Sequence, residues 1–141
     1  MNFIFDMKTL LLLGGGLHFA ILIASALVPQ VLDWRHELRK VPPLFAQLVW
    51  VHGGFIVLTI MGLGAISLAN AEELASGRFL SRSVCSFIAI FWGTRLAVQF
   101  FYFDATPYLA RWPLRLGYYG LTVVFTCLTI IYTWSALAPR T

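Results

Sequence analysis

Three side chains in this sequence are of types that an apolar membrane interior tolerates poorly: His18, His52 and Arg95 all lie inside long runs of hydrophobic residues. Neutral imidazole is a good ligand for haem iron, and two such groups on facing helices clamp one porphyrin in the core of a bundle. Arg95 keeps its charge, and an unpaired guanidinium near mid-bilayer costs at least about 2.5 kcal/mol on insertion scales. Either it snorkels towards loop three, or its partner is a haem propionate, a lipid phosphate or a carboxylate substrate, or else Asp104, Asp33 or Glu37 folded in from a loop. Gln99 falls on the same helix face as Arg95, one turn further on. Trp50, Trp92 and Tyr119 complete the expected pocket, with His18 and His52 as axial metal ligands and haem b or a quinone as the cofactor.

The elements that must position these groups follow from composition and run length. Hydrophobic residues make up 60% of the 141 and charged residues 11%, with a mean hydropathy of +0.82. A soluble domain carries about 25% charged residues, so a bilayer is the implied solvent. The net charge of +4 does not indicate nucleic acid, because the basic residues are scattered between apolar runs. Four runs are long enough to span about 30 Å as helices: about 9–28, 44–69, 83–103 and 116–138. They are too long and too uniformly apolar for barrel strands. Pro29 is expected to close the first, Pro42-Pro43 to open the second, and Asn70 to supply a left-handed cap at its end. Lys8 and Ala24-Ser25-Ala26 resemble a signal peptide with its cleavage site, but the first run is expected to remain as a span.

The links between the runs are short, so sequential helices should lie side by side. The expected fold is an all-α integral membrane protein, a single domain over residues 1–141. It is a four-transmembrane-helix antiparallel bundle with short loops and both termini on one side. Orientation is close to undetermined, with five basic residues in the first and third loops against four on the other side, and leans towards those loops facing the cytoplasm. Measured from that end, His18 lies about 15 Å deep, and His52 and Arg95 about 12 Å, which places them in one layer with Thr122.

Each feature also has a plainer explanation. A histidine in a spanning helix is often a neutral interhelical hydrogen-bonding group. Gly14, Gly15, Gly16, Gly53 and Gly54 make room for a macrocycle or for close helix packing, and Gly62 and Gly64 fit packing. The hydroxyl stripe Tyr119, Thr122, Thr126, Thr129 and Thr133 reads as interhelical glue before it reads as a solute path. Cys85 and Cys127 sit at different depths and form no redox or haem-attachment motif. His36 reads as solvated, and the first and third loops as interfacial segments with aromatic anchors. No phosphate loop, nucleophile elbow or zinc helix is present.

Three functions fit these features. The first is a small membrane subunit that binds haem b or a quinone and serves electron transfer. The second is a non-catalytic accessory or assembly subunit whose aromatic faces meet other membrane proteins or a second copy. The third is a solute or proton carrier. The bilayer, other membrane subunits and a bound lipid are the expected partners.

Overall fold

The computed structural model describes residues 3–102 and 111–138, and every regular element among them is helical. Helix α1 spans Phe3–Val31, α2 is the single turn Trp34–Glu37, and a 3-10 turn follows over Leu38–Lys40. Helix α3 spans Pro43–Ala69, α4 is the short Ala71–Ala75, α5 spans Phe79–Phe101 and α6 spans Trp112–Leu137. Four of these, α1, α3, α5 and α6, are long and apolar enough to cross a membrane.

The boundaries show local chemistry at work. Pro43 opens α3 and Pro113 stands in the first turn of α6, where a missing N–H removes nothing from the helix. Pro29 does not stop α1 as expected; the helix continues to Val31, because the proline falls in the last turn and disturbs only one hydrogen bond there. Asn70 is not left-handed. Its φ is −122°, and both its backbone N–H and its side-chain amide donate to the Ile66 carbonyl, which ends α3 without an αL residue. Helix α5 begins four residues earlier than the apolar run. Its polar first turn is held from outside the span: Ser81 Oγ donates to the Glu73 carbonyl at 2.7 Å, and Arg82 binds the carbonyls of Gly77 and Ala138 at 3.1 and 2.9 Å.

The packing is built from two close pairs. Gly15 of α1 meets Leu68 and Gly64 of α3, and His18 meets Gly64. On the other pair Cys85 meets Ser135, Trp92 meets Phe125 and Gln99 meets Thr122. Helix α1 also touches α6 through Tyr132, and α4 packs beneath α1 with Ala71, Leu74 and Ala75 buried.

Burial is unevenly distributed along the helices. Helix α3 buries Ile60, Leu63, Gly64 and Ser67 and nothing earlier, and the buried positions of α6 run from Phe125 to Ala136. The core therefore sits in the half of the molecule near α4. Residues 43–59 of α3 carry a row of exposed apolar side chains, including Leu44, Phe45, Val51 and Phe55. In lipid this surface is no liability, since acyl chains solvate it as well as another helix would. Loop one is a folded piece: Trp34 stacks edge-on against Trp50 at 5.5 Å and lies over Gly53.

Candidate functional site

The buried layer is centred on His18, whose accessible surface is 0%. Its Nδ1 lies 2.7 Å from the Gly14 carbonyl one turn back, and its Nε2 lies 2.8 Å from Nε1 of Trp92 on α5. These partners determine the tautomer. Indole N–H is only a donor, so Nε2 accepts; a carbonyl is only an acceptor, so Nδ1 carries the proton and donates. The ring is therefore neutral with both nitrogens engaged. Trp92 and Tyr132 meet it edge-on at 5.3 and 5.7 Å, and the Tyr132 hydroxyl shares a 2.5 Å hydrogen bond with Ser67 of α3. One buried cluster thus ties α1, α3, α5 and α6 together.

Trp92 carries the layer onward. It stacks on Phe125 at 5.2 Å with the rings 19° from parallel, and Arg95 Cζ lies 5.2 Å from the centroid of that same Phe125. The guanidinium therefore gains a cation–π contact within the α5–α6 pair. A turn further on, the buried Gln99 donates from Nε2 to Thr122 Oγ1. Asp104, the expected acidic partner of Arg95 from loop three, lies outside the described residues.

His52 does not join this layer. A Cβ placed on Gly64 would stand 2.9 Å from the Cβ of His18, so Gly64 marks the His18 level on α3. His52 is twelve residues back along that helix, about 18 Å away along its axis, and it is exposed with Nδ1 donating to the Leu48 carbonyl at 2.8 Å. The equal-depth expectation fails because it counts from the ends of the apolar runs. Helix α1 runs three residues past Val28, and the Trp34 contacts place the end of α1 beside Trp50 rather than Leu44. Helix α3 overshoots its neighbour by about two turns. Trp50 goes with His52 to the loop-one end, and Tyr119 is exposed against Tyr118. Of the expected pocket, His18, Trp92, Arg95 and Gln99 share the interior.

Two imidazoles on one metal hold their nitrogens within about 4 Å of each other, twice a metal–nitrogen bond of about 2 Å. His18 and His52 do not fit that requirement, and the lone pair of His18 is already used by Trp92. Among the described residues no group of three or more His, Cys, Asp or Glu side chains is placed to hold a metal ion.

Several of the remaining polar groups bond locally. Thr122, Thr126 and Thr129 each donate to the carbonyl four residues earlier at 2.8 Å. Such back-bonding leaves these three hydroxyls of the stripe on α6 with their protons spent on their own helix. Buried Cys85 donates to Ser135 Oγ at 3.3 Å, and Cys127 is an exposed free thiol. Tyr132 and Ser67 are the members that sequence reasoning missed. Ser67 was legible as the next position of the Ile60, Leu63, Gly64 stripe, but nothing in the chain pairs it with a tyrosine 65 residues away. The chain matches no protein-family model, no curated protein and no solved structure.

Proposed function

We propose that this chain is a non-catalytic accessory or assembly subunit of a larger membrane complex, an antiparallel four-helix bundle with both termini on one side. The observation that carries the reading is the engagement of both His18 nitrogens by Gly14 and Trp92. A histidine so placed works as a lock between helices. The outer faces of α5 and α6 present Phe87, Ile90, Phe101, Val123 and Ile130 to the surroundings, the kind of apolar, aromatic surface by which membrane subunits associate. The haem b or quinone reading ranks second. It requires His18 to release the indole and His52 to move by several helical turns. The carrier reading is weaker still, because the hydroxyls of Thr122, Thr126 and Thr129 are spent on backbone carbonyls.

The test is a dithionite-reduced minus air-oxidised visible spectrum of the chain purified with haem supply assured, together with identification of the membrane proteins that copurify. The expected result is no band that depends on His18, and a stoichiometric membrane partner. A sharp reduced band that disappears in His18→Leu but persists in His36→Leu would overturn the accessory reading in favour of haem.

A further inference from the structure

The charged groups at the two ends of the molecule are handled differently. At the α4 end Lys8 pairs with Glu72 at 3.5 Å, Arg78 pairs with Glu73 at 3.2 Å, and Arg82 is bound by two carbonyls. At the loop-one end Lys40 is held by both oxygens of Glu37, at 2.9 and 3.0 Å. Arg35 and Arg39 are exposed there, and among the described residues neither has an ion-pair or hydrogen-bond partner. They stand four residues apart on the continuous helical segment Trp34–Lys40, which puts both guanidinium groups on roughly the same side.

That segment is anchored. Trp34 is folded back on Trp50 and Gly53, so loop one is pinned to α3 where α3 overshoots α1. Flanking the side of α3 that Trp34 contacts is apolar surface that no other helix covers, with Val49 and Phe45 exposed. A pair of guanidinium forks beside an uncovered apolar helix face matches one ligand chemistry, a negatively charged headgroup joined to acyl chains. Guanidinium binds phosphate oxygens in a bidentate manner, and it is less strongly hydrated than an ammonium, which suits the headgroup region. Interfacial tryptophans at the same level set the depth.

From this juxtaposition we infer that Arg35 and Arg39 hold the phosphate of an anionic phospholipid whose acyl chains lie along residues 44–55 of α3. The site is separate from the His18 layer and does not depend on the accessory reading. It requires only that the four long helices span a bilayer. Lipid is favoured over a protein partner because the two arginines outnumber Asp33, the one exposed carboxylate of the segment without an ion pair, and adjoin surface that lipid already solvates.

The full chain carrying Trp112→Phe and Trp134→Phe is reconstituted in phosphatidylcholine vesicles, with a minor fraction of the lipid replaced by either phosphatidylcholine or phosphatidylglycerol brominated near the headgroup. Trp92 is buried, so quenching of tryptophan emission reads Trp34 and Trp50. Brominated phosphatidylglycerol should behave as if enriched on the order of tenfold around them relative to brominated phosphatidylcholine. Arg35→Gln with Arg39→Gln should bring the two lipids to parity, and Arg35→Lys with Arg39→Lys should keep part of the preference. Far-UV circular dichroism confirms that each variant stays folded. Equal quenching by the two lipids in the chain with both arginines, or a preference that survives the glutamine pair, would overturn the site. Quenching by neither lipid would show instead that a protein surface covers this face.

Discussion

Trp92 reaches His18 across 74 residues of sequence, and the bond at 2.8 Å serves two groups that would otherwise be stranded in apolar surroundings. Hydrogen bonds between membrane helices contribute about 0.6 kcal/mol on average and at most about 1.7. Trp92→Phe and His18→Leu should each destabilise the bundle, and the double variant should lose less than the sum of the two, by a coupling of about 1 kcal/mol. Equilibrium unfolding in mixed detergent measures this, and strict additivity would remove His18 from the role of lock. His52→Leu should leave stability nearly unchanged, since that ring is exposed and bonded only within its own helix. In loop one the Lys40 ammonium draws the Glu37 carboxyl below its usual 4.5, by hydrogen bond and by charge. The pair is therefore intact at neutral pH and is lost only as acid carries the solution down through that lowered value. A carbon-13 titration of Glu37 should show this midpoint rising towards the ordinary one in Lys40→Gln.

Helix α3 shows how one element meets two demands. Its second half approaches α1 closely enough that a Cβ on Gly64 would stand 2.9 Å from the His18 Cβ and 3.0 Å from the Phe19 ring. The first of these neighbours is anchored to a helix backbone and has little room to give. Gly64→Leu should therefore push α1 from α3 and destabilise by about 1–3 kcal/mol, as overpacking generally does. Gly62 has nothing within 4 Å of its would-be Cβ, so Gly62→Ala should be neutral or mildly stabilising through helix propensity. Thermal denaturation in one detergent compares the two, and equal losses would mean that the α1–α3 contact is not the one described. The two glycines lie two residues apart and look alike in sequence. The stripe Ile60, Leu63, Gly64, Ser67 was open to a periodicity argument, whereas the partner helix that fills the groove was not.

For the molecule as a whole, the helical type and the four long apolar helices were legible from run length, although α1 and α5 begin six and four residues before their runs. A charge-free stretch of some twenty residues must be helical in lipid, because no water is there to satisfy an open backbone. The four candidate spans at Met7–Val31, Pro43–Ala69, Phe79–Phe101 and Trp112–Leu137 follow from that constraint. So does the inference that Arg95 and His18 need partners, which is a statement about desolvation and holds whatever the fold. Register between helices was not legible. Depth counted from the ends of the apolar runs treats each helix as starting in one plane, but lipid accepts apolar surface at almost any offset, so nothing in the hydrophobic pattern stops α3 sliding two turns past α1. What sets the offset is contact of specific shapes: Gly15 against Leu68, Gly64 against His18, and Trp34 folded on Trp50. Those contacts put His18 with Trp92 and Tyr132 and send His52 to the loop-one end. The sequence by itself determined that four apolar helices carry a few buried polar groups. Only the tertiary structure decided which of those groups meet, because side-chain packing, unlike hydrophobicity, distinguishes one register from the next.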